Sequence, residues 1–203
     1  MNKTGKFKIL EGLVNQNIGN EVKCRDALIP FAKILIGNSN LIFERAEFSS
    51  DRGRVDLILI VEPIETNFGS KLLSTDKIAL VFELKAPNKK IFQYHTSNRF
   101  IPSMDLSLAE AQLFDYTQRS LQDLLYFSQQ FGVTDVRPGG IIIGRETTMF
   151  HVSVARMKKI KNVRDFESLK KVTIIARKKF LYEKAGICIY NWDHVLKLIK
   201  KNK

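Results

Sequence analysis

Two apolar runs, each interrupted by acidic residues, constrain the fold more than any other feature of the chain. They are "RVDLILIVE" at 54–62 and "KIALVFELKA" at 77–86. Their length and their content of Ile, Val, Leu and Phe predict two buried β-strands. The segment "LIFERAEF" at 41–48 predicts a shorter strand before them, and a polar loop from Pro63 to about Asp76 separates the two runs. We therefore expect three neighbouring strands, with the last two forming an antiparallel hairpin.

The charged residues of these runs fall at positions that can meet. Side chains at i and i+2 share one face of a strand, so Glu83 and Lys85 point the same way. In an antiparallel hairpin the start of one strand lies beside the end of the next, which places Asp56 next to Glu83. Two carboxylates beside an amine form a pocket suited to a hard cation such as Mg²⁺ or Mn²⁺. A cross-strand ion pair that serves only stability is the alternative interpretation of the same residues.

Helices are predicted on both sides of this hairpin. Residues 20–36 have helical spacing, with a kink or split at Pro30 and an end at Gly37. Residues 88–105 have mixed polarity and no period, which predicts a long surface loop. A long helix capped by Asp105 or Ser107 then runs to Gly132. Four further elements follow: a strand in "RPGGIIIGR", a helix at about 166–184, a strand "GICIY" and a helix "WDHVLKLIKK".

This order of elements predicts an α/β fold with a central mixed β-sheet flanked by helices on both faces. No linker or repeat divides the chain, so we expect a single domain over 1–203. Its core covers about 20–150, and a C-terminal helix–strand–helix extension covers about 160–203.

Charge and composition narrow the class of protein. The 203 residues carry 33 Lys and Arg against 21 Asp and Glu, a formal charge of +12 that favours a polyanionic partner such as nucleic acid. A lysine-rich surface that serves only solubility is the alternative. No apolar run is long enough to span a bilayer and no secretory signal is evident, so the expectation is a cytoplasmic protein without a membrane partner. Cys24 and Cys188 have no disulfide or zinc pattern, which predicts reduced, structural thiols.

The order of several short motifs resembles a known nuclease family. "RVDLILI", "FELK" and a helix with "EAQLFDY" are similar to the core of the PD-(D/E)xK superfamily, whose signature residues would be Asp56, Glu83 and Lys85. "VFELKAPN", "AEAQLFDYTQ", "GGIIIGR" and "ICIYNWDHVLKLI" follow one another as in the nuclease domain of Shedu anti-phage defence proteins. The resemblance covers about 20–200 and implies a restriction-endonuclease-like core. Val55 stands where the superfamily name has proline, and "NWD" departs from the more usual threonine, tyrosine and aspartate.

The resemblance also implies roles for further residues. Gln112 and Tyr116 match a Q-x-x-x-Y helix motif, one turn apart, that faces the metal or a bound phosphate. Arg145, after a glycine at a strand end, matches an I-G-R motif and could hold a phosphate. A glutamate of the first helix completes the metal site in many members; Glu21 is our choice, with Glu11 and Glu47 as the alternatives.

Together these features predict a Mg²⁺- or Mn²⁺-dependent DNA endonuclease of anti-phage defence. Asp56, Glu83 and the main-chain carbonyl of Leu84 would hold the metal, with Lys85 assisting the attacking water. Gln112 would position that water. Relatives of this type usually act as homo-oligomers, and the short chain leaves room for control by a regulatory protein partner. The alternatives are a silent nucleic-acid-binding module, or a nuclease of the same fold acting on RNA or branched DNA.

Histidines contribute little to this expectation. The three of them, His95, His151 and His194, are scattered without a metal-ligand spacing and are treated as structural or exposed. His95 is the exception, because it lies in the predicted loop among basic and aromatic residues that could grip a nucleic acid strand.

Overall fold

The computed structural model describes residues 3–37, 39–50, 53–62, 76–95, 99–154 and 163–202. The predicted polar loop at 63–75 lies outside these residues. The strands are β1 Asn40–Ser50, β2 Gly53–Glu62, β3 Lys77–Leu84, β4 Phe92–His95, β5 Arg99–Pro102, β6 Val133–Ile142, β7 Phe150–His151 and β8 Cys188–Tyr190. The α-helices are α1 Lys3–Asn15, α2 Glu21–Leu28, α3 Met104–Gln122, α4 Leu124–Phe131, α5 Val163–Arg177 and α6 Trp192–Lys201.

A five-stranded mixed sheet forms the centre of the fold, in the order β1-β2-β3-β6-β8. β1, β2 and β3 pair antiparallel, whereas β6 pairs parallel with both β3 and β8. The predicted mixed α/β architecture is therefore confirmed. β3, β6 and β8 end at the same edge of the sheet because parallel strands share their direction.

Apolar side chains alternate between the two faces of this sheet, and helices cover both. Leu57 and Leu59 of β2 pack into one core with residues of α1, α2 and α6. Ile58 and Ile60 pack into a second core with α3 and α4. Strands that are buried on both faces require near-continuous apolar runs, which is the pattern that the sequence shows.

The N-terminal helices differ from the prediction in number. α1 was not predicted. The expected helix at 20–36 is divided into α2 and a 3₁₀ helix, Ile29–Ile36, that has Pro30 in its first turn and ends at Gly37. The split at the proline confirms the expectation, since proline lacks the N–H that would continue α2.

The predicted surface loop at 88–105 is wrong. β4 and β5 form an antiparallel hairpin there, and β7 adds to it in parallel as a second, three-stranded sheet. Phe92 and Phe100 are buried in the second core, and the rings of Phe92 and Phe150 stack with centroids 5.4 Å apart. Burial of these aromatic side chains stabilises strands in a segment whose polar residues hide the period.

The long helix and the C-terminal elements are close to their predicted positions. α3 is capped by Ser103, whose hydroxyl accepts a 3.1 Å bond from the Leu106 N–H, and not by Asp105 or Ser107. The helix breaks at Asp123, and α4 ends at Gly132 in the left-handed conformation. α5 continues into a π-helical turn, Lys178–Tyr182, while α6 has the predicted bounds. None of the described helices combines the length and apolarity needed to cross a membrane.

Candidate active site

Asp56 of β2 lies against the end of β3. Its Oδ2 accepts a 3.1 Å hydrogen bond from the backbone N–H of Leu84. Leu57 pairs with Phe82 in the antiparallel register, and the same register carried one residue further sets Asp56 opposite Glu83. The expected juxtaposition of the two carboxylates follows from this pairing, and the charge of Asp56 acts on the pKa of Glu83.

Glu83 is the most unusual residue of the sheet. It is 1% exposed near the end of an apolar strand. Its Oε1 lies 2.6 Å from the Nζ of Lys85, whereas its Oε2 is buried and has no hydrogen-bond partner among the described residues. A buried carboxylate oxygen without a partner is costly, so this oxygen marks a place where a ligand can bind.

The protonation of the cluster follows from its burial. Burial first, and then the negative charge of Asp56, raises the pKa of Glu83 to about 8, although the hydrogen bond and the charge of Lys85 act in the opposite direction. Burial lowers the pKa of Lys85, but the hydrogen bond and charge of Glu83, with the charges of Glu21 and Asp56, raise it above its ordinary value. The Lys85 side chain is therefore an ammonium that lies between the carboxyl groups of Glu83 and Glu21.

Glu21 reaches this ammonium from the other layer. Glu21 is the first residue of α2, and its Oε2 lies 3.7 Å from the Nζ of Lys85. The two alternatives are engaged elsewhere: Glu11 pairs with Lys200 at 2.7 Å, and Glu47 pairs with Arg25 at 2.6 Å. Of the three glutamates considered, Glu21 is thus the one whose ion pair joins it to the cluster.

Gln112 and Tyr116 lie one turn apart on α3, as the motif predicts. The Nε2 of Gln112 donates to the hydroxyl of Tyr116 at 3.4 Å. Burial raises the pKa of Tyr116, and the charges of Glu83 and Asp56 raise it further. The phenol is consequently a protonated donor that lies within the electric field of the two carboxylates.

Arg145 and His95 are placed differently. The guanidinium of Arg145 donates from Nη2 to Asp193 at 2.9 Å and from Nη1 to the carbonyl of Val14 at 2.8 Å. These contacts join the segment after β6 to α1 and α6, so the side chain is already occupied as a cross-link. His95 ends β4, in the smaller sheet, and not on the sheet of the carboxylates.

Trp192 is a site residue that the sequence reasoning missed. It is completely buried, and its indole Nε1 donates a 2.7 Å hydrogen bond to the main-chain carbonyl of Lys85. Its backbone N–H donates to the carbonyl of Gly144 at 2.9 Å. The preceding Asn191 caps α6 through the N–H of His194 at 2.7 Å. The "NWD" sequence carried the signal, because asparagine is a preferred cap and α6 begins directly after it.

The residues present fit a divalent cation. A metal bound to the free oxygen of Glu83 would supply its missing partner and favour the ionised carboxylate. Asp56 and the backbone of Leu84 are adjacent. Over the described part of the chain, no three His, Cys, Asp or Glu side chains are gathered closely enough to hold a metal by themselves. The ligand set would therefore be two carboxylates supplemented by main-chain, water or substrate oxygens.

Comparison with known proteins adds no assignment. No protein-family model matches the chain, and no curated protein matches it significantly.

Proposed function

We propose that this chain is a divalent-metal-dependent DNA endonuclease with a restriction-endonuclease-like core, acting in anti-phage defence. The observation that carries the proposal is the buried oxygen of Glu83 without a partner, beside Asp56 and Lys85 at the end of two adjacent strands. The similarity of the ordered motifs to the Shedu nuclease domain supports the same function. The formal charge of +12 favours a polyanionic substrate.

Mg²⁺ or Mn²⁺ bound by Asp56, Glu83 and the Leu84 carbonyl would polarise a scissile phosphate and lower the pKa of a water. The protein's own groups determine the surroundings of that phosphate. Glu83 is buried, so little water reaches its carboxyl group. Charge interactions with that group are stronger for this reason. The hydrogen bond from Leu84 fixes the Asp56 carboxylate at the strand edge.

Lys85 acts as a positive charge rather than as a base. Its pKa is raised by Glu83, Glu21 and Asp56, so it holds its proton at neutral pH. An ammonium at this position can orient a water and stabilise the charge that develops on a phosphate. Gln112, fixed by Tyr116, can hold the attacking water by hydrogen bonding.

A silent binding module is a second candidate, favoured by one observation. Lys85 itself occupies one oxygen of Glu83 at 2.6 Å, and such an ion pair can serve stability alone. In that case the protein would shift the electrophoretic mobility of DNA without cutting it.

Incubation of the purified protein with supercoiled plasmid in Mg²⁺, Mn²⁺ or EDTA tests the proposal. We expect nicking or linearisation that EDTA abolishes. Asp56→Asn should abolish cutting while retaining the acceptor for Leu84, and Lys85→Met should reduce it by about 10²–10³-fold. Asp115→Asn is the matched control, because the Asp115 side chain is 46% exposed and its ion pair among the described residues is with Arg119, also on α3. Cutting by Asp56→Asn at the wild-type rate would contradict the proposal. Parallel assays with RNA and single-stranded DNA identify the class of substrate.

A further inference from the structure

A cavity of about 450 Å³ lies beside β8, between the end of α5 and the start of α6. Its wall is largely apolar and aromatic, with Phe92, Ile174, Tyr182 and Ile189 among the lining residues. The volume is within the range of about 300–1,000 Å³ that is typical of small-molecule sites. None of the residues assigned above to the metal cluster lines it, so it is a second feature of the molecule.

The guanidinium of Arg177 lies in the wall of the cavity, where neighbouring side chains hold it in place. The Nη2 of Arg177 donates to both oxygens of Glu110 at 2.6 Å, and its Nε donates to the Tyr182 hydroxyl at 2.8 Å. The Tyr182 hydroxyl in turn donates to Glu110. Among the described residues, Nη1 of Arg177 has no acceptor. The guanidinium therefore offers a preorganised donor to a ligand with a carbonyl, ring nitrogen or phosphate oxygen.

The charges around the mouth of the cavity are nearly balanced. Lys178 lies 3.7 Å from Glu183, and Glu146 lies 2.6 Å from Lys197. Such a mouth would not hold a polyphosphate, which needs an excess of positive charge. An aromatic wall with one half-buried donor instead suits a flat, uncharged ring that carries hydrogen-bond acceptors. A nucleobase has this chemistry.

The cavity lies on the same face of the sheet as the carboxylates. Glu83 pairs with Ile141 on β6, and Ile141 pairs with Ile189 on β8. Ile189 and Ile141 belong to the second core, and the alternation of β3 turns Glu83 toward the same side. Two strand spacings separate Glu83 from Ile189, a distance of about 10 Å. That distance corresponds to about three stacked nucleotides of one strand.

We propose that this cavity accepts a single unstacked nucleobase of the nucleic acid substrate, a few nucleotides from the phosphate at Glu83. This inference rests on the proposed function. The base would lie against the apolar wall, with the Nη1 of Arg177 donating to one of its acceptors. Unstacking the base has a free-energy cost. Contacts between the base and aromatic side chains offset that cost.

A pair of neighbouring isoleucines provides the variants. Ile174 lines the cavity and is 38% exposed, whereas Ile175 is 53% exposed and is not part of the lining. Ile174→Trp fills the cavity without removing any polar contact, and Ile175→Trp makes the same chemical change on the same helix outside it. Arg177→Lys is a second variant that keeps a charge for Glu110 but loses Nη1.

The test uses duplex DNA with 2-aminopurine at successive positions, in EDTA so that no cutting occurs. Fluorescence rises when this base analogue unstacks. We expect a rise at one position with wild type and Ile175→Trp, its loss with Ile174→Trp, and about tenfold weaker binding with Arg177→Lys. Thermal unfolding confirms that each variant is folded. The four deoxynucleoside monophosphates serve as competitors.

The outcomes separate this inference from the proposed function. A plasmid-cutting protein that gives no fluorescence rise at any position overturns the cavity assignment and leaves the endonuclease standing. A localised rise that Ile174→Trp abolishes, with no cutting in any metal, supports the cavity and overturns the endonuclease. Monophosphates that bind to wild type and not to Ile174→Trp, without a rise in DNA, identify a free-nucleotide site and overturn the assignment to substrate DNA.

Discussion

The indole of Trp192 donates a 2.7 Å hydrogen bond to the main-chain carbonyl of Lys85. This contact joins the start of α6 to the residue that follows β3, across 107 positions of the sequence. The backbone N–H of Lys85 donates to Ile142 at 2.8 Å, so both backbone polar groups of the lysine are held. Trp192 is therefore assigned as a positioning residue that holds the Lys85 backbone at the end of β3.

Trp192→Phe should keep most of the packing and remove this hydrogen bond. We expect kcat for plasmid cutting to fall about tenfold with little change in KM, as for other residues that orient a site through a neighbour. The lost bond alone costs about 1 kcal/mol of stability. Phe127→Leu is the control, because Phe127 is equally buried but lies in the opposite layer. A kcat loss in Phe127→Leu as large as in Trp192→Phe would show that general destabilisation is responsible.

The pKa of Glu83 predicts a pH dependence of stability. Because burial and Asp56 raise it from 4.5 to about 8, the folded state keeps a proton that the unfolded state loses. The free energy of unfolding should therefore fall as pH rises from about 4.5 to about 8, by at most a few kcal/mol, since one pKa unit is about 1.4 kcal/mol. The raised pKa of Lys85 adds no slope there, because that group titrates at higher pH.

Glu83→Gln should remove most of this slope while abolishing cutting. Denaturant unfolding at several pH values measures the free energy directly. Glu167→Gln is the matched control, because Glu167 is exposed and pairs with Lys170 on α5. Equal slopes in wild type and Glu83→Gln would assign the pH dependence to other groups.

The sequence predicted the sheet and the carboxylate cluster because both depend on local periodicity. Continuous apolar runs identified β2 and β3, and the i, i+2 rule placed Glu83 beside Lys85. Antiparallel pairing alone predicted Asp56 beside Glu83, and in the structure Asp56 accepts a hydrogen bond from the N–H of the next residue, Leu84. These contacts could be predicted because β2 and β3 follow each other in the sequence and pair directly.

The features that were missed depend on distant contacts. Residues 92–95 and 99–102 form strands because Phe92 and Phe100 pack against Phe150, far along the chain. The bond from Trp192 to Lys85 and the cross-link from Arg145 to Asp193 likewise join segments whose pairing no local pattern encodes. Ser103 caps α3 in place of Asp105 because the Lys90 N–H bonds to that carboxylate at 3.1 Å. Tertiary contacts decide such positions.

Divalent cations should raise the melting temperature of wild type. A ligand that binds only the folded state stabilises it by about 2.7 kcal/mol at 100 times its Kd. The free oxygen of Glu83 is the expected anchor, so Glu83→Gln and Asp56→Asn should lose the shift. Differential scanning calorimetry in Mn²⁺, with KCl at matched ionic strength as control, measures this effect. An undiminished shift in both variants would place the cation elsewhere.

Arg145→Gln should destabilise the fold rather than weaken DNA binding. The guanidinium donates to Asp193 and to the carbonyls of Val14 and Asn15, and hydrogen bonds to charged groups are each worth about 1.5–3 kcal/mol. We expect a lower free energy of unfolding and an unchanged salt dependence of DNA binding by mobility shift. A phosphate contact would instead reduce the salt slope by about one and leave stability unchanged.

Two glycines with similar positive φ angles allow the effect of backbone strain to be separated from the effect of steric overlap. Gly144 has φ +62 and Gly186 has φ +67, so alanine at either position costs about 1–2 kcal/mol of left-handed strain. A Cβ at Gly144 would also overlap the carbonyl oxygen of Lys89, whereas one at Gly186 meets no atom within 4 Å. Gly144→Ala should therefore destabilise the protein clearly more than Gly186→Ala in denaturant unfolding. The carbonyl of Gly144 accepts a hydrogen bond from the backbone N–H of Trp192. The Gly144→Ala variant should therefore also cut DNA more slowly, whereas Gly186→Ala should cut at the wild-type rate. Equal losses of stability in the two variants would mean that the backbone around Gly144 yields to the added methyl group.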